Sequence, residues 1–171
     1  SLDYSKYDVI NYAFISVEPN GALSLTDPWS DKNLLLGPIN RSVAPPEYDH
    51  DRGLGNPAWH KPGQRFSDYA HKNKVRFLVS VGGWAHSAYF PEVAAHPQKR
   101  AVFASQCKKM VQLYNLDGID IDWEYPGAPG EGNPYGPEDV HNFTLLLQEF
   151  RTQLNAINPN LMLTIATGGA S

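Results

Sequence analysis

Residues 116 to 126 read LDGIDIDWEYP, and this stretch decides the interpretation of the chain. Within eight positions it carries four acidic residues: Asp117, Asp120, Asp122 and Glu124. Apolar residues alternate with the last three acids, and this alternation predicts a strand at 118 to 125. Because successive side chains of a strand point to opposite faces, we expect the three later acids on one face and the isoleucine and tryptophan side chains on the other.

Strands and helices alternate along the rest of the chain. Apolar runs predict further strands, and helical spacing of apolar residues predicts helices: strands at 7–17, 75–81 and 161–167, helices at 64–73, 97–114 and 137–157. Nearly continuous apolar strands that alternate with helices are typical of a parallel sheet covered by helices. Four strands fit either a small open α/β sheet or half of an eight-stranded barrel, and the alternation alone leaves both possible.

Residues 27 to 64 form a proline-rich stretch without a clear strand or helix period. We predict a long inserted loop here, and loops of that length within a compact domain are usually functional or mobile. The aromatic residues Trp29, Tyr48 and Trp59 either line a binding groove or hold the loop against the surface.

Composition excludes several classes of protein. The net charge is −4 and the basic residues form no stripe, so nucleic acid is not an expected partner. No apolar run reaches the roughly 18 residues of a membrane span. The single Cys107 excludes an internal disulfide and is predicted to be a small buried core residue. The chain begins at Ser1 without a signal peptide, and we expect it to be a piece of a longer protein.

The three later acids of the quoted stretch have two explanations. One is a half-exposed antiparallel strand with an acidic solvent face, but the neighbouring strands show no such polar alternation. The other is a barrel interior, where unpaired carboxylates are costly and therefore indicate function. Side chains two apart on a strand lie about 6.5–7 Å from each other, so the acids are expected to share protons as a coupled group. Glu124 comes last, nearest the mouth where α/β barrels hold their active sites, and is the expected proton donor.

A second signal is the segment SVGGW at residues 80 to 84. Two glycines at the end of a buried strand allow close backbone approach and leave room for a ligand. Trp84 is then expected at the mouth of the sheet, where its ring offers a stacking face. Alone this segment does not establish a binding site, because two glycines after a strand are also common in ordinary turns.

Together these residues resemble the family-18 glycoside hydrolases, the chitinases and related endo-N-acetylglucosaminidases. The family's Asp-x-x-Asp-x-Asp-x-Glu motif on barrel strand four is matched in full by the four acids of the quoted stretch. Its Ser-x-Gly-Gly segment on barrel strand three is matched at 80–83, and the likeness extends to INYAF at 10–14 and LTIAT at 163–167. The resemblance implies an α/β fold, the (β/α)8 TIM barrel, of which residues 1 to 171 hold roughly strands two to five as a partial catalytic domain.

The resemblance also implies residue roles in hydrolysis of β-1,4 bonds between N-acetylglucosamine units. The substrate's own acetamido oxygen would attack the anomeric carbon, which retains the configuration, while Glu124 protonates the leaving oxygen. Asp122 would hold the acetamido N–H, and Asp120 would share a proton with Asp122. The other implied site residues are the supporting Ser80 and Asp117 and the substrate-binding Gly83, Trp84 and Tyr125.

Chitin or chitooligosaccharide is the ligand that the resemblance implies, without metal or organic cofactor. Secretion is expected because insoluble chitin lies outside most cells. Three alternatives stay open: an endo-β-N-acetylglucosaminidase acting on N-glycans, a non-catalytic chitin-binding lectin on the same fold, and a small open α/β binding protein whose acids hold a divalent cation. The retained Glu124 and the full motif match favour a hydrolase. Family residues of strands one, six and eight have no counterpart here, so we do not expect residues 1 to 171 to be active alone.

Overall fold

A five-stranded sheet carries the candidate site residues in the computed structural model, which describes residues 2 to 168. Its strands are Val9–Val17 (β1), Leu23–Leu25 (β2), Arg76–Gly82 (β3), Gly118–Asp122 (β4) and Met162–Ile165 (β5). They lie in the order β2-β1-β3-β4-β5, and all neighbours are parallel except β2, which is antiparallel to β1. The predicted parallel α/β sheet is therefore confirmed, with four parallel strands side by side in chain order.

Helices connect the strands and cover one face of the sheet. They are Pro28–Leu35 (α1), Phe66–Lys72 (α2), Phe90–Ala95 (α3), Pro97–Tyr114 (α4) and Asp139–Asn155 (α5). Helices α3, α4 and α5 pack against one another over the sheet. Within the described part of the chain, none of them has the length and apolar character needed to cross a membrane.

The two faces of β4 differ as the alternation of its residues predicts. Ile119, Ile121 and Trp123 belong to the buried core beneath the helices. The Trp123 ring stacks on Phe90 of α3 with 5.5 Å between ring centroids. The apolar half of the acidic stretch therefore anchors β4 to the helices, and this leaves the carboxylates on the opposite face of the sheet.

Strand β2 is an element that the sequence analysis missed. The chain reverses after β1 through a turn in which the Glu18 N–H donates to the Ala22 carbonyl at 2.8 Å and Gly21 has a φ of +87°. It then returns as β2, antiparallel to the end of β1. Three residues are too few to show a strand period in the sequence, so only the pairing with β1 identifies this strand.

Helix α1 lies inside the stretch 27–64, which we had predicted to be irregular throughout. The Asp27 carboxylate accepts a hydrogen bond from the Ser30 N–H and so caps the first turn. The helix buries Asp31 and Lys32, and it therefore lacks the apolar face by which a helix is recognised in a sequence. The rest of the stretch is irregular apart from two short 3-10 turns and one isolated β-bridge.

Aromatic packing holds this stretch together. The Tyr48 ring is buried and meets Trp59 edge-to-face at 4.7 Å between centroids, and its hydroxyl lies 2.9 Å from His60 Nε2. The Lys32 ammonium lies 3.9 Å from the centre of the same ring. Tyr48 therefore holds the loop by packing and does not line a groove. Trp29 is exposed and does not take part in this packing.

Other boundaries differ modestly from the predicted ones. Strand β4 ends at Asp122 instead of residue 125, because its neighbour β3 ends at Gly82, which is the last paired residue. Helix α5 begins at Asp139, two residues later than predicted, and the short helix α3 was not predicted. Cys107 is buried in the core as predicted.

Candidate active site

Asp120 is held by hydroxyl groups from both neighbouring strands. The register of the sheet places Ser80 of β3 and Thr164 of β5 directly beside it. The Ser80 hydroxyl donates to one carboxylate oxygen at 2.8 Å, and the Thr164 hydroxyl donates to the other at 2.6 Å. With 8% of its surface exposed, Asp120 is thus a buried carboxylate whose two oxygens both have a donor.

Asp122 lies on the same face at the last position of β4 and is 9% exposed. The pKa of its carboxyl is raised from 3.8 to about 6, chiefly by burial and in addition by the negative charges of Glu124 and Asp120. Its Oδ1 atom is buried and has no hydrogen-bond partner among residues 2 to 168. A buried polar atom without a partner is exceptional, and the described residues contain one other such side-chain atom, the indole nitrogen of Trp123.

Glu124 lies two residues beyond the end of β4 and is half-buried. Its backbone N–H donates to the buried hydroxyl of Ser87 at 2.9 Å. Hydrogen bonding to Glu124, together with its negative charge, raises the pKa of the neighbouring Tyr125 hydroxyl. The negative charge of Glu124 is also one of the causes that raise the pKa of Asp122, so these two acids interact at the carboxyl edge of the sheet, where α/β barrels carry their active sites.

Gly82 and Gly83 end β3 beside this pair, with φ angles of +110° and +90°. A Cβ atom on Gly82 would lie 2.4 Å from the carbonyl oxygen of Asp122, and one on Gly83 would lie 2.9 Å from the ring of Phe14. The Gly83 N–H also donates to the Asp122 carbonyl at 2.7 Å. Glycine is thus required here both for the backbone conformation and for close contact with β4.

Replacing Gly82 by alanine should destabilise the protein by at least about 3 kcal/mol, because backbone strain and the clash with the Asp122 carbonyl add. The matched control is Gly63→Ala, where φ is +70° and a Cβ would meet nothing within 4 Å. Strain alone should lower its stability by about 1–2 kcal/mol. Denaturant unfolding of both variants of the whole protein measures the difference, and equal losses would contradict the close contact.

Trp84 and Tyr125 form an aromatic wall at the same edge. Their ring centroids are 6.3 Å apart at an interplanar angle of 69°, and 48% of Trp84 is exposed. The indole N–H of Trp84 donates to the carboxylate of Glu131, and the Asn133 amide donates to the carbonyls of Trp84 and Glu124 at 3.4 Å each. The β4–α5 loop thus fixes the indole while leaving aromatic surface open to a flat apolar ligand.

Asp117 is at the opposite end of β4 from the other acids. Its Oδ2 atom accepts the Phe77 N–H at 2.7 Å and lies 2.7 Å from His71 Nε2. It links β3 and α2 at the amino end of the sheet, far along the strand from Glu124. Among residues 2 to 168, no group of three or more His, Cys, Asp or Glu side chains is arranged to hold a metal ion.

Two residues of this site were missed by the sequence analysis, Thr164 and Ser87. Thr164 had a partial signal, because it lies in the LTIAT segment, but only the observed register of β4 with β5 brings its hydroxyl beside Asp120. Ser87 had none, since it follows a short 3-10 turn and its contacts reach residues up to 37 positions away. Local patterns do not report such contacts.

The raised pKa of Asp122 makes stability depend on pH. The unfolded chain ionises this carboxyl near 3.8 and the folded chain near 6, so the stability gained from the neutral form is present below about pH 3.8 and is lost as pH rises through 6. Asp122→Asn removes this loss. We expect its Tm to exceed that of the wild type by about 2–4 °C near pH 8, the difference shrinking toward pH 4. Thermal unfolding across this range tests it, and a less stable variant near pH 8 would contradict the burial argument.

Comparisons with known proteins identify the family of the chain. The sequence model described as Glycosyl hydrolases family 18 matches residues 1–171. Chitinase A1 of Niallia circulans is 33% identical over 192 residues, covering 99% of this chain and 28% of the relative. The Group IV chitinase of Ostrinia furnacalis, solved in complex with allosamidin, is 29% identical with a TM-score of 0.71, covering 97% of this chain and 37% of that one.

A family 18 N-acetylglucosaminidase from Paenibacillus barengoltzii is also similar in structure. It is 26% identical with a TM-score of 0.65, and the match covers 95% of this chain and 39% of that one. The chain thus spans between a quarter and two fifths of the length of these proteins. With the family sequence model matched from end to end and the acidic motif on β4, the chain belongs to glycosyl hydrolase family 18.

Proposed function

We propose that the whole protein is a chitinase and that residues 1 to 171 are part of its catalytic domain. The observation that carries the proposal is the row of carboxylates on the open face of β4, with the two oxygens of Asp120 held by hydroxyls and a buried oxygen of Asp122 without a partner. The activity is assigned to the whole protein because this chain spans 28% of Chitinase A1. Secretion is part of the same proposal, since the substrate is insoluble.

Glu124 is assigned as the general acid. It would donate its proton to the oxygen of the β-1,4 bond while the acetamido oxygen of the same sugar attacks the anomeric carbon. The bond between the anomeric carbon and the leaving oxygen breaks, and a cyclic oxazolinium forms. Water then attacks the same carbon and gives its proton to Glu124. This attack opens the oxazolinium ring and restores the original configuration of the anomeric carbon.

Asp122 is assigned to the acetamido group. Its unpartnered Oδ1 atom suits an N–H donor, and an acetamido group supplies one. Holding this N–H would aim the acetamido oxygen at the anomeric carbon, and ionisation of Asp122 would offset the charge of the oxazolinium. A carboxyl with a pKa of about 6 can carry or release a proton near neutral pH, as this role requires.

Asp120 is assigned a supporting role, in which it would share a proton with Asp122. Hydroxyl groups of Ser80 and Thr164 hold its carboxylate, and its negative charge contributes to the raised pKa of Asp122. Trp84 and Tyr125 would contact sugar rings, with the backbone of Gly83 beside them.

An N-acetylglucosaminidase acting on other glycans, including the N-glycan core, is the second candidate. It is favoured by the likeness to the family 18 N-acetylglucosaminidase, because the same acid row serves both reactions. The deciding experiment incubates the whole protein with chitin oligomers and with a high-mannose glycopeptide, and identifies the products. Release of chitooligosaccharides alone supports the chitinase, and cleavage of the glycopeptide alone supports the second candidate. Binding of chitin without cleavage would support the lectin alternative instead.

A further inference from the structure

We propose that Ser87 is a positioning residue that fixes the general acid relative to the aromatic wall, an inference that rests on the proposed function. Ser87 is 0% exposed and follows the 3-10 turn Trp84–His86 after β3. Its hydroxyl accepts the Glu124 N–H at 2.9 Å and lies 2.9 Å from the Gly83 carbonyl and 3.2 Å from the Asp122 carbonyl. One side chain thus connects the end of β3 to the end of β4.

The backbone of Glu124 depends on this hydroxyl because the sheet no longer holds it. The last pair of the β3–β4 ladder is Gly82 with Asp122, so the Glu124 N–H has no ladder partner. Ser87 supplies an acceptor at the position where a continuing strand would have offered a carbonyl. The hydroxyl therefore sets where the Glu124 side chain begins and how it points.

The same hydroxyl also acts on the segment that carries Trp84. Its donor bond to the Gly83 carbonyl orients the peptide that precedes the indole. The backbone of Glu124 and the peptide before Trp84 are therefore both hydrogen-bonded to one atom, the Oγ of Ser87. A sugar placed against Trp84 would then present its leaving oxygen to Glu124 at a defined distance, and small errors in such a distance reduce rates steeply.

Ser87→Ala in the whole protein is the test. We expect kcat on a chitooligosaccharide to fall about 10- to 100-fold with KM changed less than about twofold, because binding surfaces remain while the acid is misplaced. A nitrophenyl chitobioside has a leaving group that needs little protonation, so its kcat should fall at least about fivefold less. Ser87→Cys leaves no cavity but replaces the hydroxyl with a larger group that is a weak donor and acceptor, and it should show the same contrast between the two substrates.

The matched control is Ser67→Ala. Ser67 is also buried and donates to a backbone carbonyl, that of Tyr114 at 2.6 Å, which precedes the amino end of β4. It should lose comparable stability in thermal unfolding and keep kcat on both substrates. Wild-type kcat in the Ser87 variants, or an equal loss on both substrates, would overturn the positioning role and leave the proposed function standing. A wild-type protein that cleaves neither substrate would overturn both.

Discussion

Glu124→Gln in the whole protein should lower kcat on chitooligosaccharides at least about 100-fold while the oligosaccharide still binds, since a positioned general acid contributes about 10²- to 10⁴-fold. Glutamine has nearly the same shape as glutamate but cannot release a proton to the leaving oxygen. The backbone contacts of residue 124 with Ser87 and Asn133 do not involve its side chain and should persist. Binding is measured by calorimetry and turnover by product analysis.

Glu149→Gln provides the control for this substitution. Glu149 lies on α5, and its carboxylate accepts a hydrogen bond from the Gln153 side-chain amide at 3.1 Å within the same helix. Its change to glutamine should therefore leave turnover unaltered. Hydrolysis by the Glu124→Gln protein at the wild-type rate would remove the central assignment. Loss of binding together with turnover would show that residue 124 acts in substrate binding instead.

Asp122→Asn should lower kcat by about 100-fold, comparable to the loss of one group that stabilises charge in a transition state. Asparagine cannot carry the charge that would offset the oxazolinium, although its amide oxygen can still accept the acetamido N–H. An inflection near pH 6, where Asp122 of the free protein ionises, is expected in the kcat/KM–pH profile of the wild type and should be absent in the variant.

The stability of this variant separates a chemical effect from unfolding. Asp122→Asn is expected to be more stable than the wild type near pH 8, because a buried ionised carboxyl is replaced by a neutral group. If the variant is inactive and its Tm is raised, the loss of turnover is due to a missing catalytic group and not to unfolding. A wild-type rate, or an unchanged inflection near pH 6, would contradict the role assigned to Asp122.

Much of the candidate site follows from local sequence pattern. The period of a strand is two residues, so the alternation in LDGIDIDWEYP suffices to separate Asp120 and Asp122 from Ile119 and Ile121. The core packing of Ile119 and Ile121 confirms that separation. The order of strands and helices likewise follows from their periods, and it limits the fold to a parallel α/β arrangement.

Elements that depend on partners distant in the sequence were the ones missed. Strand β2 is defined by its pairing with β1, and α1 buries the charged Asp31 and Lys32 against the irregular stretch that follows it. The end of β4 is set by the length of β3. None of these features leaves a period in the local sequence, because each is decided by the element packed beside it.

The sequence by itself determined the family, the two faces of β4 and the identity of the acids, because these depend on residue type and spacing along one chain. Only the tertiary structure decided that Thr164 joins Ser80 beside Asp120, that Ser87 holds the Glu124 backbone, and that Asp122 is the acid with the raised pKa. The physical reason is that strand register and burial arise between segments dozens of residues apart. They come into existence only when those segments pack together.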